Sequence, residues 1–275
     1  MVASSTRRPT AALPGGAIRP RRKASARAWA LRLGSVVVLL VAWEFYGRSV
    51  NPLLLASPTS IMAALWELVR DGTLVHAFAE SMQPFLVGLV LSVVAGVVIG
   101  VLLGRFAVVE ESLLHLLNAF YTVPAVALVP VVILWFGLGF TAKVAIIVII
   151  AIFPILFTTH DGIRAISQQH VDVARAYGAS GWDTLRSVMI PAALPFIMSG
   201  FRQSAGRALI GLIVAELFTG LSGLGALIAK YTNSLQTDRV LAVVVVLGVI
   251  GSGLIAGGSW LERRVTPWKP SRRSW

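Results

Sequence analysis

No cysteine occurs among the 275 residues, which excludes disulfide frameworks, thiol chemistry and Cys-ligated metal together. Charge is also scarce. Asp, Glu, Lys and Arg make up 13% of the chain, against roughly 25% in a soluble domain. Acidic residues are the scarcest, 12 against 24 basic ones, and the first of them is Glu44. No G-x-x-x-x-G-K-[ST] phosphate loop is present, so the chain cannot hydrolyse ATP by that means. There is no G-x-S-x-G turn, and His76, His115, His160 and His170 lack metal-ligand spacing. No catalytic residue, metal or cofactor is therefore expected, and His160 and His170 are read as solvated or capping residues near the inner face.

What is abundant is apolar. Hydrophobic residues reach 56% and mean hydropathy is +0.81, which makes lipid the main solvent. A spanning helix uses about 20 mostly apolar residues, so six spans fit with room for tails and loops but not for a large extramembrane domain. Eight of the basic residues lie in the first 32, and Arg263, Arg264, Lys269, Arg272 and Arg273 crowd the last 13. Basic residues beside apolar runs are the positive-inside signal, so nucleic-acid binding is set aside. An Arg-rich, acid-poor leader also fits a transit peptide. Thr6-Arg7-Arg8 faintly resembles a twin-arginine signal, but Arg19 to Arg32 precede any apolar core and no cleavage site follows. Residues 1–28 are read as a cytoplasmic tail and 263–275 as a second one.

The hydropathy pattern predicts an all-α membrane protein whose transmembrane domain covers 29–262. Spans are expected over about 29–47, 84–106, 113–138, 142–159, 195–217 and 240–261, the third broken by Pro124 and Pro130 and the fourth carrying Pro154. Before the second, Ser57-Pro58 reads as an N-cap and first helical residue. Ile61, Leu65, Leu68 and Val69 then recur at helical spacing up to Gly72, as on an amphipathic surface helix. Gly96, Gly100 and Gly104 form a small-residue stripe that lets another helix approach closely. Residues 219–238 read as a Gly-rich external connection. With the N-terminus inside, seventeen basic residues fall on the cytoplasmic side and five outside, which places both termini in the cytoplasm.

The longest polar connection, about 161–194, carries most of the information. Ser167 can cap a short helix ending at Gly178, and Ser180-Gly181-Trp182-Asp183 is a capping-box pattern opening a second helix that Pro191 closes. Asp172, Ala174, Gly178, Ser180 and Pro191 are the candidate coupling residues. A small Ala174 lets the helix sit deep in a partner's groove, and Gly178 can take the left-handed conformation that turns one helix into the next. Pro191 would stop the second at the membrane.

Asp172-Val173-Ala174, then Gly178, then Val188-Met189-Ile190-Pro191 resembles the cytoplasmic signature of ABC importer permeases. That signature runs acidic-Ala-Ala, three residues to Gly, nine residues, then Ile-x-Leu-Pro. Asp172 stands where Glu is usual and Val173 where the first Ala is; the spacing is intact. Leu54 to Pro58, Leu134-Trp135-Phe136-Gly137-Leu138-Gly139, Pro191 to Pro195, Arg207-Ala208, Ala215-Glu216 and Gly223-Leu224-Gly225 resemble the nitrate, sulfonate, taurine and bicarbonate class of these permeases. The resemblance covers about 30–262.

It implies a type I importer permease in a bacterial inner membrane. It also implies a second permease copy, two ABC ATPase subunits and an extracytoplasmic binding protein as partners. Trp135, Arg207 and Glu216 are the candidate path residues; Arg207 and Glu216 qualify as ionisable groups at membrane depth. Arg202 is read as snorkelling or pairing with the loop. Arg207 and Glu216 lie nine positions apart, about 13 Å along a helix, so each needs a partner elsewhere. The expected solute is a small anion, with sulfonate, taurine or nitrate ahead of a thiamine precursor or aromatic acid. Two other classes compete: a secondary transporter, against which the lack of a visible repeat argues, and a membrane scaffold, which has no use for the loop spacing.

Overall fold

The computed structural model describes residues 26–267. The expected leader tail therefore lies outside the described residues except for its last three, and the C-terminal tail beyond residue 267 lies outside them too. Every regular element among the described residues is helical. In chain order they are α1 (Ala26–Ser49), α2 (Pro58–Arg70), α3 (Thr73–Arg105), α4 (Ala107–Thr122), α5 (Val129–Phe136), α6 (Phe140–Arg164), α7 (Gln168–Ala176), α8 (Gly181–Thr184), α9 (Ile190–Thr219), α10 (Leu224–Asn233) and α11 (Thr237–Val265).

Four helical runs are long and apolar enough to cross a bilayer: α3, α6, residues 181–219 and α11; α4 and the segment ending in α5 together make a bent fifth candidate. The first of the expected spans falls on α1. The bend in the fifth is 87°, and its cause is local. Pro124 pushes Val123 out of the helical region to an extended backbone (φ −68°, ψ 129°). Chain direction is then recovered by a 3₁₀ turn, Ala125–Leu128, and by Pro130 in the first turn of α5. Pro154, by contrast, is carried inside α6 without a break.

α6 is the centre of the bundle: half of its most apolar stretch is buried, against 11% for α11. The glycine stripe of α3 faces it, as expected, and extends further than expected. Gly88, Gly96, Gly100 and Gly104 oppose Ile147, Ile155, Thr159 and Ile163 in order, so α3 and α6 run parallel. A Cβ on Gly100 would stand 2.6 Å from the Leu156 carbonyl oxygen, and one on Gly104 would stand 2.7 Å from Ile163 Cβ. Only hydrogen at these positions lets the two backbones meet. On its other side α6 packs antiparallel to α9, where the buried Ser204 Oγ donates to the Ala151 carbonyl at 2.7 Å. The C-terminal ends of α3 and α6 and the start of α9 thus share one end of the bundle.

α2 begins at the expected cap: Ser57 Oγ accepts from the Ser60 N–H at 3.3 Å. Glu44 of α1 reinforces it, accepting from Thr59 N–H at 3.0 Å and Thr59 Oγ1 at 2.7 Å. The apolar face of α2 packs on protein: Ile61, Ala64 and Leu68 join a core with Leu224, Tyr231, Ala242 and Val243. Val69, expected on that face, is exposed. Two boundaries move. The second span begins at Thr73, eleven residues early, and the Gly-rich connection contains α10, whose Leu224, Gly225 and Tyr231 are buried.

Candidate functional site

The connector after α6 is two helices meeting at Gly178, built by backbone bonding that its sequence dictates. The Ala179 N–H donates to the Ala174 carbonyl at 3.0 Å and the Gly178 N–H to the Arg175 carbonyl at 2.9 Å. That pair of bonds is a Schellman motif, which requires a left-handed residue at the position of Gly178. Its φ is +82°. Ala174 therefore closes the turn through its carbonyl. Ser180 opens the second helix with a complete capping box: its Oγ accepts from the Asp183 N–H at 3.1 Å, and the Asp183 carboxylate accepts from the Ser180 N–H at 3.1 Å.

Two local expectations are corrected. Ser167 stands at the N-cap of α7 but its side chain makes no capping bond. Pro191 does not close the second helix. The chain continues from Gly181 to Thr219 as one run, because residues 185–189 widen into a π-helical turn just ahead of Pro191. A π turn takes up the i→i+4 mismatch created by a proline, which lacks an N–H and clashes with the preceding turn. Pro191 follows as the second residue of α9, where the wider π turn has already shifted the hydrogen-bond register.

The connector presents unpartnered apolar side chains that spacing did not single out. Tyr177 is 89% exposed, and Trp182 and Val173 are exposed beside it. Large aromatics on an otherwise polar surface are the residue types that anchor protein interfaces. Asp172 is exposed and accepts a bond from Gln168 Nε2 at 3.0 Å. The connector leans on the bundle through a cavity of about 310 Å³ lined by Gly162, Ile166, His170, Val188 and Phe196.

The three path candidates separate. Arg207 is exposed on α9, its Nη2 3.5 Å from the Tyr121 hydroxyl. Tyr121 packs its ring against Phe153 and Phe157, both at 5.4 Å. Arg207 thus stands on an aromatic face shared by α4, α6 and α9. Trp135 is exposed on α5 next to Leu134. Glu216 is instead sealed inside the protein, with no exposed surface. Its carboxylate accepts from Ser81 Oγ at 2.8 and 3.0 Å, from the Gly225 N–H at 2.8 Å and from Lys143 Nζ at 3.4 Å. Lys143 also donates to the Ser222 carbonyl at 2.9 Å. Gly223 packs so closely on the Glu216 carboxylate that no side chain fits there.

This buried network ties α3, α6, α9 and the turn before α10 into one unit. Neither Lys143 nor Ser81 is among the site residues that spacing and resemblance single out. A basic residue between Ala142 and Val144 at the edge of an apolar run was the signal for Lys143. Arg202 pairs with Glu262 of α11 at 3.0 Å rather than with the connector.

The described helices thus form a bundle with spans long and apolar enough for a bilayer and an exposed two-helix connector at one end. Residues 92–267 match the family described as binding-protein-dependent transport system inner membrane component, and the chain belongs to that family. It is 32% identical to the putative aliphatic sulfonates transport permease protein of Bacillus subtilis over 88% of this chain and 89% of that one. It is 30% identical to the taurine transport system permease protein of Escherichia coli, over 86% and 89% respectively. The formylaminopyrimidine transport permease protein of Halalkalibacterium halodurans is also 30% identical. Among solved structures, a chain of the MetNI methionine ABC transporter in an inward-facing conformation superposes with a TM-score of 0.57 at 22% identity, over 73% of this chain and 97% of that one. The fold is thus that of an ABC importer permease.

Proposed function

We propose that this permease forms half of the path of an ATP-driven importer, working as a homodimer with two ABC ATPase subunits and an extracytoplasmic binding protein. The observation that carries the reading is the connector: a Schellman turn, a capping box and exposed Val173, Tyr177 and Trp182 make a rigid knob with no use inside one chain. α1, α3, the bent α4–α5 pair, α6, α9 and α11 supply six crossings, with the connector and both termini in the cytoplasm. α4 has no buried residue, and Leu134 and Trp135 of α5 project from the bundle, which favours this side for the second copy. Equal numbers of permease and ATPase chains are expected in the purified complex. One permease per two ATPases, or uptake without any ATPase, would overturn the reading.

The solute we infer is a small anion of the sulfonate, taurine or nitrate kind, ahead of a thiamine precursor, riboflavin or aromatic acid. Support comes from Arg207, a positive charge on an aromatic face, and from the names of several relatives. Glu216, being fully bonded within the fold, is assigned to bracing and not to the path. Arg207→Gln should lower the maximal import rate while the binding protein's affinity stays at its parental value. An unchanged import rate, measured with labelled taurine or an alkanesulfonate, would remove the anion argument and leave the permease assignment standing.

A further inference from the structure

Glu110, His160 and Arg164 form a polar cluster that none of the roles above uses. It sits where α4 begins and α6 ends, directly ahead of the connector. Glu110 is mostly shielded, and its two carboxylate oxygens reach two different residues: His160 Nε2 at 3.1 Å and Arg164 Nη2 at 3.4 Å. The same imidazole presents Nδ1 to Asp161 Oδ1 at 3.0 Å. His160 and Arg164 stand one turn apart, on one face of α6. A single carboxylate gripping both therefore fixes the height of α4 along α6 as well as its distance. The joint is flanked on its other side too, since the Arg105 guanidinium at the end of α3 lies beside Gly181 at the start of α8.

α4 has little else to hold it. It buries no residue in this chain, and its second attachment is the Tyr121 ring against Phe153 and Phe157. That ring carries the hydroxyl beside Arg207. Through these two attachments α4 joins the connector end of the bundle to the candidate path.

We propose that Glu110, His160 and Arg164 are a latch that makes α4 move with the connector, so that Tyr121 shifts against Arg207 when the ATPases act. The inference rests on the reading of the connector as the ATPase-docking segment. It makes Glu110 and Arg164 positioning residues for transport, since they act through α4 and the Tyr121 ring it carries.

The test is the number of ATP molecules hydrolysed per solute imported, measured on the complete transporter in proteoliposomes. For Glu110→Gln, assembly and ATP hydrolysis should stay near parental while import per ATP falls about fivefold, the low end of measured coupling between sites. Arg164→Gln, at a side chain that is 56% exposed, should lower it about twofold. The double variant should be no worse than Glu110→Gln, because both act through one latch. A parental ratio in Glu110→Gln overturns the proposal, as does import falling only in proportion to hydrolysis, the mark of plain structural support. Should Glu110→Gln fail to reach the membrane, a parental ratio in Arg164→Gln overturns it alone. A parental complex that imports nothing with ATP would instead strike at the importer reading itself.

Discussion

Glu216→Ala is expected to destabilise the folded permease by about 3–5 kcal/mol, the cost of removing one partner from a buried ion pair. The reason is what it leaves behind. The Lys143 side chain is 6% exposed, so its ammonium would stay inside the bundle with only Ser222 to satisfy it. Ser81 Oγ and the Gly225 N–H would lose their acceptor as well, and each orphaned buried donor adds about 1–3 kcal/mol in isolation. These costs overlap, so they are not summed. Glu216→Gln keeps a carbonyl for Ser81 and Gly225 and should fall between Ala and the parent. Pairing Glu216→Gln with Lys143→Met should recover part of the loss, because no buried charge is then left alone. The measurement is the melting midpoint of the detergent-purified protein, where Glu216→Ala should lie about 10 °C low. A midpoint equal to the parent's would mean that Lys143 reaches water, and the bracing role would be wrong.

The same pair marks where sequence reasoning stops. That Arg207 and Glu216 could not pair within one helix followed from rise per residue, and the need for an outside partner followed with it. Which partner did not, because Lys143 lies 73 residues from Glu216 and only the packing of α3, α6 and α9 brings them together. Spans, by contrast, were legible because lipid forces long apolar runs. The Gly96, Gly100 and Gly104 stripe was legible because small residues repeating every fourth position on a helix admit a second backbone. Gly88 escaped notice, although the buried Ser92 continues the same four-residue spacing between it and Gly96.

Local chemistry was readable where it is local, and misread where the backbone had a second option. Ser180 and Asp183 bond each other across three residues, so tertiary structure has nothing to add. Pro191 obeys the rule that proline cannot continue a regular α-helix, yet the chain does not stop there. The π turn before it supplies a geometry that the simple rule leaves out. The expected break between loop and fifth span thus becomes a continuous helical joint, which suits the coupling role proposed for the connector.

That role sets the expectation for Gly178→Val, the larger functional effect. A left-handed backbone costs an L-residue roughly 1–2 kcal/mol, and a β-branched one is the poorest fit. A Cβ at Gly178 would meet nothing within 4 Å, so crowding is not the cause of the penalty; the φ of +82° is. The chain relieves it by leaving the left-handed region. The Ala179 to Ala174 bond then breaks, and Tyr177 and Trp182 lose their fixed relation across the turn. Losing about 1.4 kcal/mol of docking free energy weakens ATPase association tenfold, so copurification and import should fall by about that factor. Membrane insertion should remain parental, because no span is altered. Asp172→Ala should do less, since its exposed carboxylate contributes at most about 1 kcal/mol through ion pairing. If Gly178→Val copurifies with the ATPase and imports at the parental rate, the connector does not dock as assigned, and the exposed aromatics beside it need another partner.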